Sequence, residues 1–269
     1  MQKNIQLFVK GYDDKMIINA ILRAANLPLD RIAISVSKGK SQVLEITKTI
    51  SKTDNRYTVL FVDADELFIS DANKKYYNTA VEYGCDDVLF AIPEIESWFF
   101  ADDVLLAKLV SDKQIERLKM LPLPDAIPYP KAIANYVMPK NTGYDGKYQF
   151  LEKMDIVRAS ARSASLKHFL LKIAELLELP LPQLEQRSPE ASTVDLKIVT
   201  NLLKSVSNKD TIMLKTLSNH TYTAGDIEDS AKNGTDLARE YLSDLFIVAR
   251  DFLKRKAERE MDKKGGSAL

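Results

Sequence analysis

Scarcity sets the first limits. The 269-residue chain has one cysteine, Cys85, so no internal disulfide can form, and its two histidines, His168 and His220, are too far apart in sequence to read as a zinc cluster. Any metal would have to be held by oxygen ligands. No apolar run is longer than a few residues and no charged-then-apolar leader follows Met1, so neither a membrane span nor a signal peptide is expected, and the cytoplasm is the default compartment. There is no Walker A pattern for binding ATP, and the Ser163, Ser165 and His168 grouping lacks a nucleophile elbow. Net charge is also missing: 38 basic residues balance 38 acidic ones, which removes any general attraction for nucleic acid.

What is present has the composition of a globular protein, 45% hydrophobic and 28% charged. Residues 4–9 read as a buried strand, and Ile17, Ile18, Ile21 and Leu22 then recur at helical spacing. Ile32 to Val36 is a β-branched run, followed by a helical face at Val43, Leu44, Ile46 and Ile50. Tyr57 to Val62, almost wholly apolar, suits a strand buried on both faces of a parallel sheet. A helix from Ala72 to Tyr83, ended by Gly84, and a strand from Asp87 to Ile92 complete a βαβαβαβ order. After Pro93 the alternation stops. Residues 121–146 read as a loop or linker, Ala164 to Leu179 as a helix stopped by Pro180, Asp195 to Ser207 as another helix, and Thr211 to Leu217 as a short β stretch. A last helix is expected from Thr235, its N-cap, to Lys256. The organisation expected is an α/β domain over residues 1–105, a mainly helical region over 106–264, and a flexible appended tail over 265–269.

The segment Leu60-Phe61-Val62-Asp63-Ala64-Asp65-Glu66 is an apolar strand that delivers acids at its carboxyl end, where open parallel sheets bind ligands. Two carboxylates separated by one residue, as Asp63 and Asp65 are, point to the same side of an extended chain, and Glu66 adds a third, enough oxygen charge for Mg²⁺ with phosphate and water. The bland reading is a turn capped by solvated acids. The first strand ends in Lys10-Gly11-Tyr12-Asp13-Asp14, whose acids also suit the first turn of a helix. Pro93-Glu94-Ile95-Glu96-Ser97-Trp98 brings Glu94 and Glu96 near the same sheet edge, and the single tryptophan reads as a core anchor.

Taken together, a strand followed by x-Gly-x-x-Asp, an Asp-x-Asp after the third strand and Pro-Glu-x-Glu-x-Trp after the fourth resemble Toprim proteins. The likeness is to standalone bacterial relatives of the overcoming-lysogenisation-defect nucleases, some of which accompany ATPases in anti-phage defence, and it covers residues 4–103. It implies a Toprim-like, mostly parallel sheet and a Mg²⁺- or Mn²⁺-dependent endonuclease acting on DNA or RNA, tRNA included, as a toxic effector. By motif match Asp63 and Asp65 would be metal ligands and catalytic, Asp14 would be the acid after Glu-Gly and a further ligand, and Glu94 and Glu96 would be accessory groups, with Glu66 added as a ligand by the segment's own chemistry. A regulatory ATPase is the implied partner. The departure is at Lys10, where the family has glutamate: a protonated lysine neither ligates Mg²⁺ nor acts as a carboxylate base. Three accounts stand side by side: deliberate Glu-to-Lys inactivation, a lineage that lost the activity, or replacement of the missing ligand by Asp13 or Asp14. A non-catalytic, Toprim-like binding or regulatory subunit is the alternative function, and Lys10 pairing with Asp63 and Asp65 would suit it.

For the nucleic-acid partner, Lys38 and Lys40 could contact phosphate, against a plain reading as a solvated basic turn. Lys140, Lys147, Arg158, Arg162 and Lys167, with Tyr144 and Tyr148 for stacking, form a candidate substrate groove. The last helix carries a broad apolar face through Leu245, Val248 and Phe252, expected to pack internally or to join two copies as a homodimer.

Overall fold

The computed structural model describes residues 3–37, 55–66, 69–82, 84–118, 121–137, 148–181, 184, 197–215, 220–233 and most of 235–255. Strands β1 (Asn4–Val9), β2 (Ile32–Val36), β3 (Arg56–Asp63) and β4 (Asp87–Ala91) form one sheet in the order β2-β1-β3-β4. All pairs are parallel, with Leu7 opposite both Ile34 and Val59, and Leu60 opposite Val88. The chain is therefore an α/β protein built on a four-stranded parallel sheet. The stretch with Val43 to Ile50 lies outside the described residues.

Period-two alternation divides the sheet's side chains between two cores. Leu7, Val9, Val59, Phe61 and Leu89 face one, where Ile17, Ile18, Ile21 and Leu22 of helix α1 (Tyr12–Ala24) pack. Phe8, Leu60, Val62 and Phe90 face the other, against Ala72 and Tyr76 of helix α2 (Ile69–Glu82). Both α1 and the sheet share the first core with segments beyond residue 105. Helices α3 (Asp103–Ala107), α4 (Asp112–Leu118), α5 (Pro130–Val137), α6 (Ile156–Arg162) and α7 (Ala164–Leu176) follow in order. Phe169 of α7 meets Phe61 and Trp98 edge to face or tilted, at centroid separations of 5.5 and 5.2 Å. Trp98 is fully buried and donates its indole N–H to Ser165 Oγ at 2.9 Å, so the core-anchor reading of it holds. Cys85 is likewise a buried small hydrophobe.

The residues expected as a loop at 121–146 include α5, opened by Pro130 at a helix start, where its missing N–H costs nothing. Helix α7 stops three residues earlier than its apolar pattern. Glu178 turns left-handed at φ +57, its N–H donates to Glu175 O, and Leu179 N–H donates to Ala174 O, so the stop is made by backbone bonds before Pro180 is reached.

The chain divides into two compact units, Met1–Ser192 and Thr193–Leu269. The second holds helix α8 (Lys197–Leu203), an antiparallel hairpin of β5 (Ile212–Lys215) and β6 (Thr221–Thr223), and helix α9 (Ala224–Asn233). Every described residue from Leu237 to Arg255 is helical. The start of that segment is tied by Ser230 Oγ, which accepts from Ala238 N–H at 2.8 Å. Among the described residues no helix is long and apolar enough to cross a membrane.

Candidate functional site

In the order β2-β1-β3-β4 the chain leaves β1 toward one edge and β3 toward the other, so their carboxyl ends flank the crevice where open parallel sheets take ligands. Lys10 directly follows β1, and Asp63 is the last residue of β3. Their side chains meet: the Lys10 ammonium forms an ion pair with Asp63 Oδ2. The other oxygen, Asp63 Oδ1, accepts the backbone N–H of Ile95 at 3.0 Å. Asp63 is 7% exposed, so both of its oxygens are engaged in a nearly dry place.

The turn after Asp63 is fixed from two sides. Ala64 N–H donates to Ala91 O at 2.9 Å and Asp65 N–H to Pro93 O at 3.2 Å, lacing the turn to the end of β4. Asp65 adopts φ +56, a left-handed conformation that aspartate tolerates better than most residues. From α2, the Tyr76 hydroxyl reaches the Asp63 and Ala64 carbonyls at 3.2 and 3.3 Å. Lys75 donates to Ala64 O at 3.0 Å and to Glu66 Oε1 at 2.7 Å. Glu66 is thereby turned toward α2 and its lysine.

Around Lys10 the fold gathers carboxyl groups from three segments. Asp14, in the first turn of α1, is 5% exposed, and its Oδ2 has no hydrogen-bond partner. Burial pushes its carboxyl up to about 6; Lys10 and Lys131 pull the other way, and Glu96 and Asp13 add to the rise. Glu94, whose Oε2 is buried without a partner, is pushed up to about 7 by burial first and by Glu96 second, again against Lys10 and Lys131. Glu96 lies 3.6 Å from the Lys131 ammonium of α5. Tyr148 completes the set: burial and its hydrogen-bonded neighbour Asp13 hold its hydroxyl well above the usual phenol range. Two ammonium groups thus stand among Asp13, Asp14, Asp63, Asp65, Glu94 and Glu96. The balance is negative, and burial, the first cause at both Asp14 and Glu94, brings their carboxyls up toward neutrality.

As they stand, these residues do not fit a divalent cation. Among the described residues no three His, Cys, Asp or Glu side chains are grouped to hold one. The Lys10 ammonium sits on Asp63 where a hard cation would have to approach, and Glu66 is paired with Lys75. Of the residues singled out in the sequence, the structure brings together Lys10, Asp14, Asp63, Asp65 and Glu94, and turns Glu66 aside. Lys38, Lys40, Lys140, Lys147 and Tyr144 lie outside the described residues. Arg158 is bound to Asp102 at 2.8 Å and Asp155 at 3.0 Å, and Arg162 to Asp103 at 3.2 Å, so both serve internal ion pairs.

Ser163 and Ser165 are structural. The Ser163 hydroxyl donates to Asp125 Oδ1 at 2.6 Å, Ser165 N–H donates to Asp125 Oδ2 at 2.7 Å, and Ser163 Oγ accepts Leu166 N–H as the cap of α7. His168 stacks on Phe90 at 5.8 Å, and burial lowers its imidazole below the usual value, as expected of a packed histidine. Sequence reasoning missed Lys131 and Asp125. Both come from the stretch rich in proline and tyrosine that carries no clear period, so no local signal marked either. The chain matches no family model, no curated protein and no solved structure.

Proposed function

We propose that this chain is a Toprim-type, divalent-metal-dependent endonuclease in a silenced form, in which Lys10 takes the place of the metal. The ion pair of Lys10 with Asp63, at the carboxyl ends of β1 and β3, supports the reading. An ammonium there neutralises the acid that would otherwise need a cation, and it keeps the site folded without one. Asp14, Asp65 and Glu94 remain as the acids that a glutamate at position 10 would join, making a set of hard oxygen ligands for Mg²⁺ or Mn²⁺. The Toprim resemblance of residues 4–103 supplies the rest of the proposal: DNA or RNA as substrate, a role as a toxic effector in anti-phage defence, and a regulatory ATPase as partner.

The same ion pair favours a second reading, a Toprim-like subunit that binds or regulates and never cuts. One pair of variants separates the two. Lys10→Glu is expected to bind Mn²⁺ in titration calorimetry and to nick plasmid DNA or cleave tRNA, whereas the chain with Lys10 does neither. Asp65→Asn in the Lys10→Glu background should abolish cutting while keeping a residue that tolerates φ +56. A Lys10→Glu protein that folds, yet neither binds Mn²⁺ nor cuts with an ATPase partner supplied, would falsify the nuclease reading and leave the binding subunit.

A further inference from the structure

The helical segment after α9 has one buried face and one exposed face. Ala238, Tyr241 and Leu242 are buried, at 0, 7 and 6% exposure. Glu240, Asp244, Val248, Asp251, Phe252 and Arg255 are exposed, and steps of three and four residues place them in one stripe along the helix. Val248 and Phe252, one turn apart, are 65 and 67% exposed, the two most exposed large hydrophobic side chains described in the chain. The stripe is graded in charge: two acids lead it, the apolar pair fills its middle, and Arg255 ends it, with Asp251 one turn before that arginine.

We propose that this stripe is an isologous interface at which a second copy of the chain docks its own stripe antiparallel. About a two-fold axis beside residue 250, Val248 of one copy falls opposite Phe252 of the other, twice over. The same operation brings Asp244 of each copy within a turn of Arg255 of the other. A parallel pairing would set Glu240, Asp244 and Asp251 each against its own kind, whereas the antiparallel one does so only at Asp251 beside the axis, so the charge pattern favours the antiparallel one. The exposed apolar area is small, so the dimer is weak, with a dissociation constant on the order of 10 to 100 µM, and it tightens at low salt. The interface is independent of the nuclease reading, because Lys10 and its neighbours take no part in it.

Sedimentation velocity of the full chain from about 1 to 200 µM tests it. The expected result is a concentration-dependent rise from the 30.4 kDa monomer toward twice that mass. Phe252→Ser should raise the dissociation constant at least tenfold while leaving the far-ultraviolet dichroism and the melting temperature as they were, since the side chain is exposed. Arg255→Asp should weaken the dimer, and Asp244→Arg combined with Arg255→Asp should restore it. A monomer at every concentration overturns the proposal and assigns the face to another occupant. So does a dimer that Phe252→Ser and the charge swap leave unchanged.

Discussion

The acids around Lys10 show how two residues of like type separate in behaviour. Asp63 has its oxygens taken by an ammonium and a backbone N–H, whereas Asp14 and Glu94 each keep one buried oxygen with no partner and are raised, by burial first, to about 6 and about 7. A carboxyl group whose folded value is raised binds its proton more tightly in the folded chain. Its contribution to stability is full below the ordinary values of 3.8 and 4.5 and is lost as pH climbs through about 6 and 7. Asp125, also raised to about 6 by burial, acts in the same sense. Asp102, held below its ordinary value, has given its full effect by pH 5, so it does not offset the raised groups and the melting temperature should fall between pH 5 and 8. Glu94→Gln should flatten the profile and gain on the order of 1 to 2 kcal/mol at pH 8, read from denaturant titrations at several pH values. A profile of unchanged slope in Glu94→Gln would show that the unpartnered oxygen finds water and that burial does not control the group.

At the scale of elements, much of the sheet was legible because parallel strands buried on both faces run apolar through their centres, as β3 does from Val59 to Val62 and β4 from Val88 to Ala91. Helix α1 was legible for a different reason, since its apolar residues recur with the helical period while Asp13 and Asp14 sit at its positive end. Position 10 was legible as a departure only through the resemblance, which implies a glutamate where the lysine stands. The partners of that site were not. Lys131 reaches it from α5, and nothing in residues 121–146 forecasts a helix there, because proline and tyrosine mask the period. Asp125 was equally silent in sequence, yet it links a 3₁₀ turn, Pro124–Ala126, to the amino end of α7 through Ser163 and Ser165. The first N–H groups of α7 and two hydroxyls satisfy that carboxylate together. Ser163→Ala removes the cap and one partner of Asp125, and should cost about 1 to 2 kcal/mol in urea unfolding. Ser163→Thr, which keeps the hydroxyl, should recover most of it.

At the scale of the molecule, among the described residues the two main hydrophobic clusters draw their members from residues 5–184, inside the unit Met1–Ser192. Helices beyond residue 105 finish the core that the sheet begins, so a fragment cut at 105 would expose the faces that Leu166, Phe169 and Ile173 now cover. A fragment of residues 1–192 should melt cooperatively and keep the pH response traced to Glu94, while losing all self-association. A fragment that fails to fold would place part of the stabilising core after residue 192. Within the sheet, Asp63 has a consequence for any genetics of this protein. It is the buckle of three straps: the end of β1 through Lys10, the end of β3 to which it belongs, and the segment after β4 through the Ile95 amide. Replacing it with alanine, the habitual way to silence an acidic motif, would unfasten all three. A dead phenotype at position 63 would then report a loosened architecture, and a geneticist who reads it as lost chemistry would have named the wrong cause.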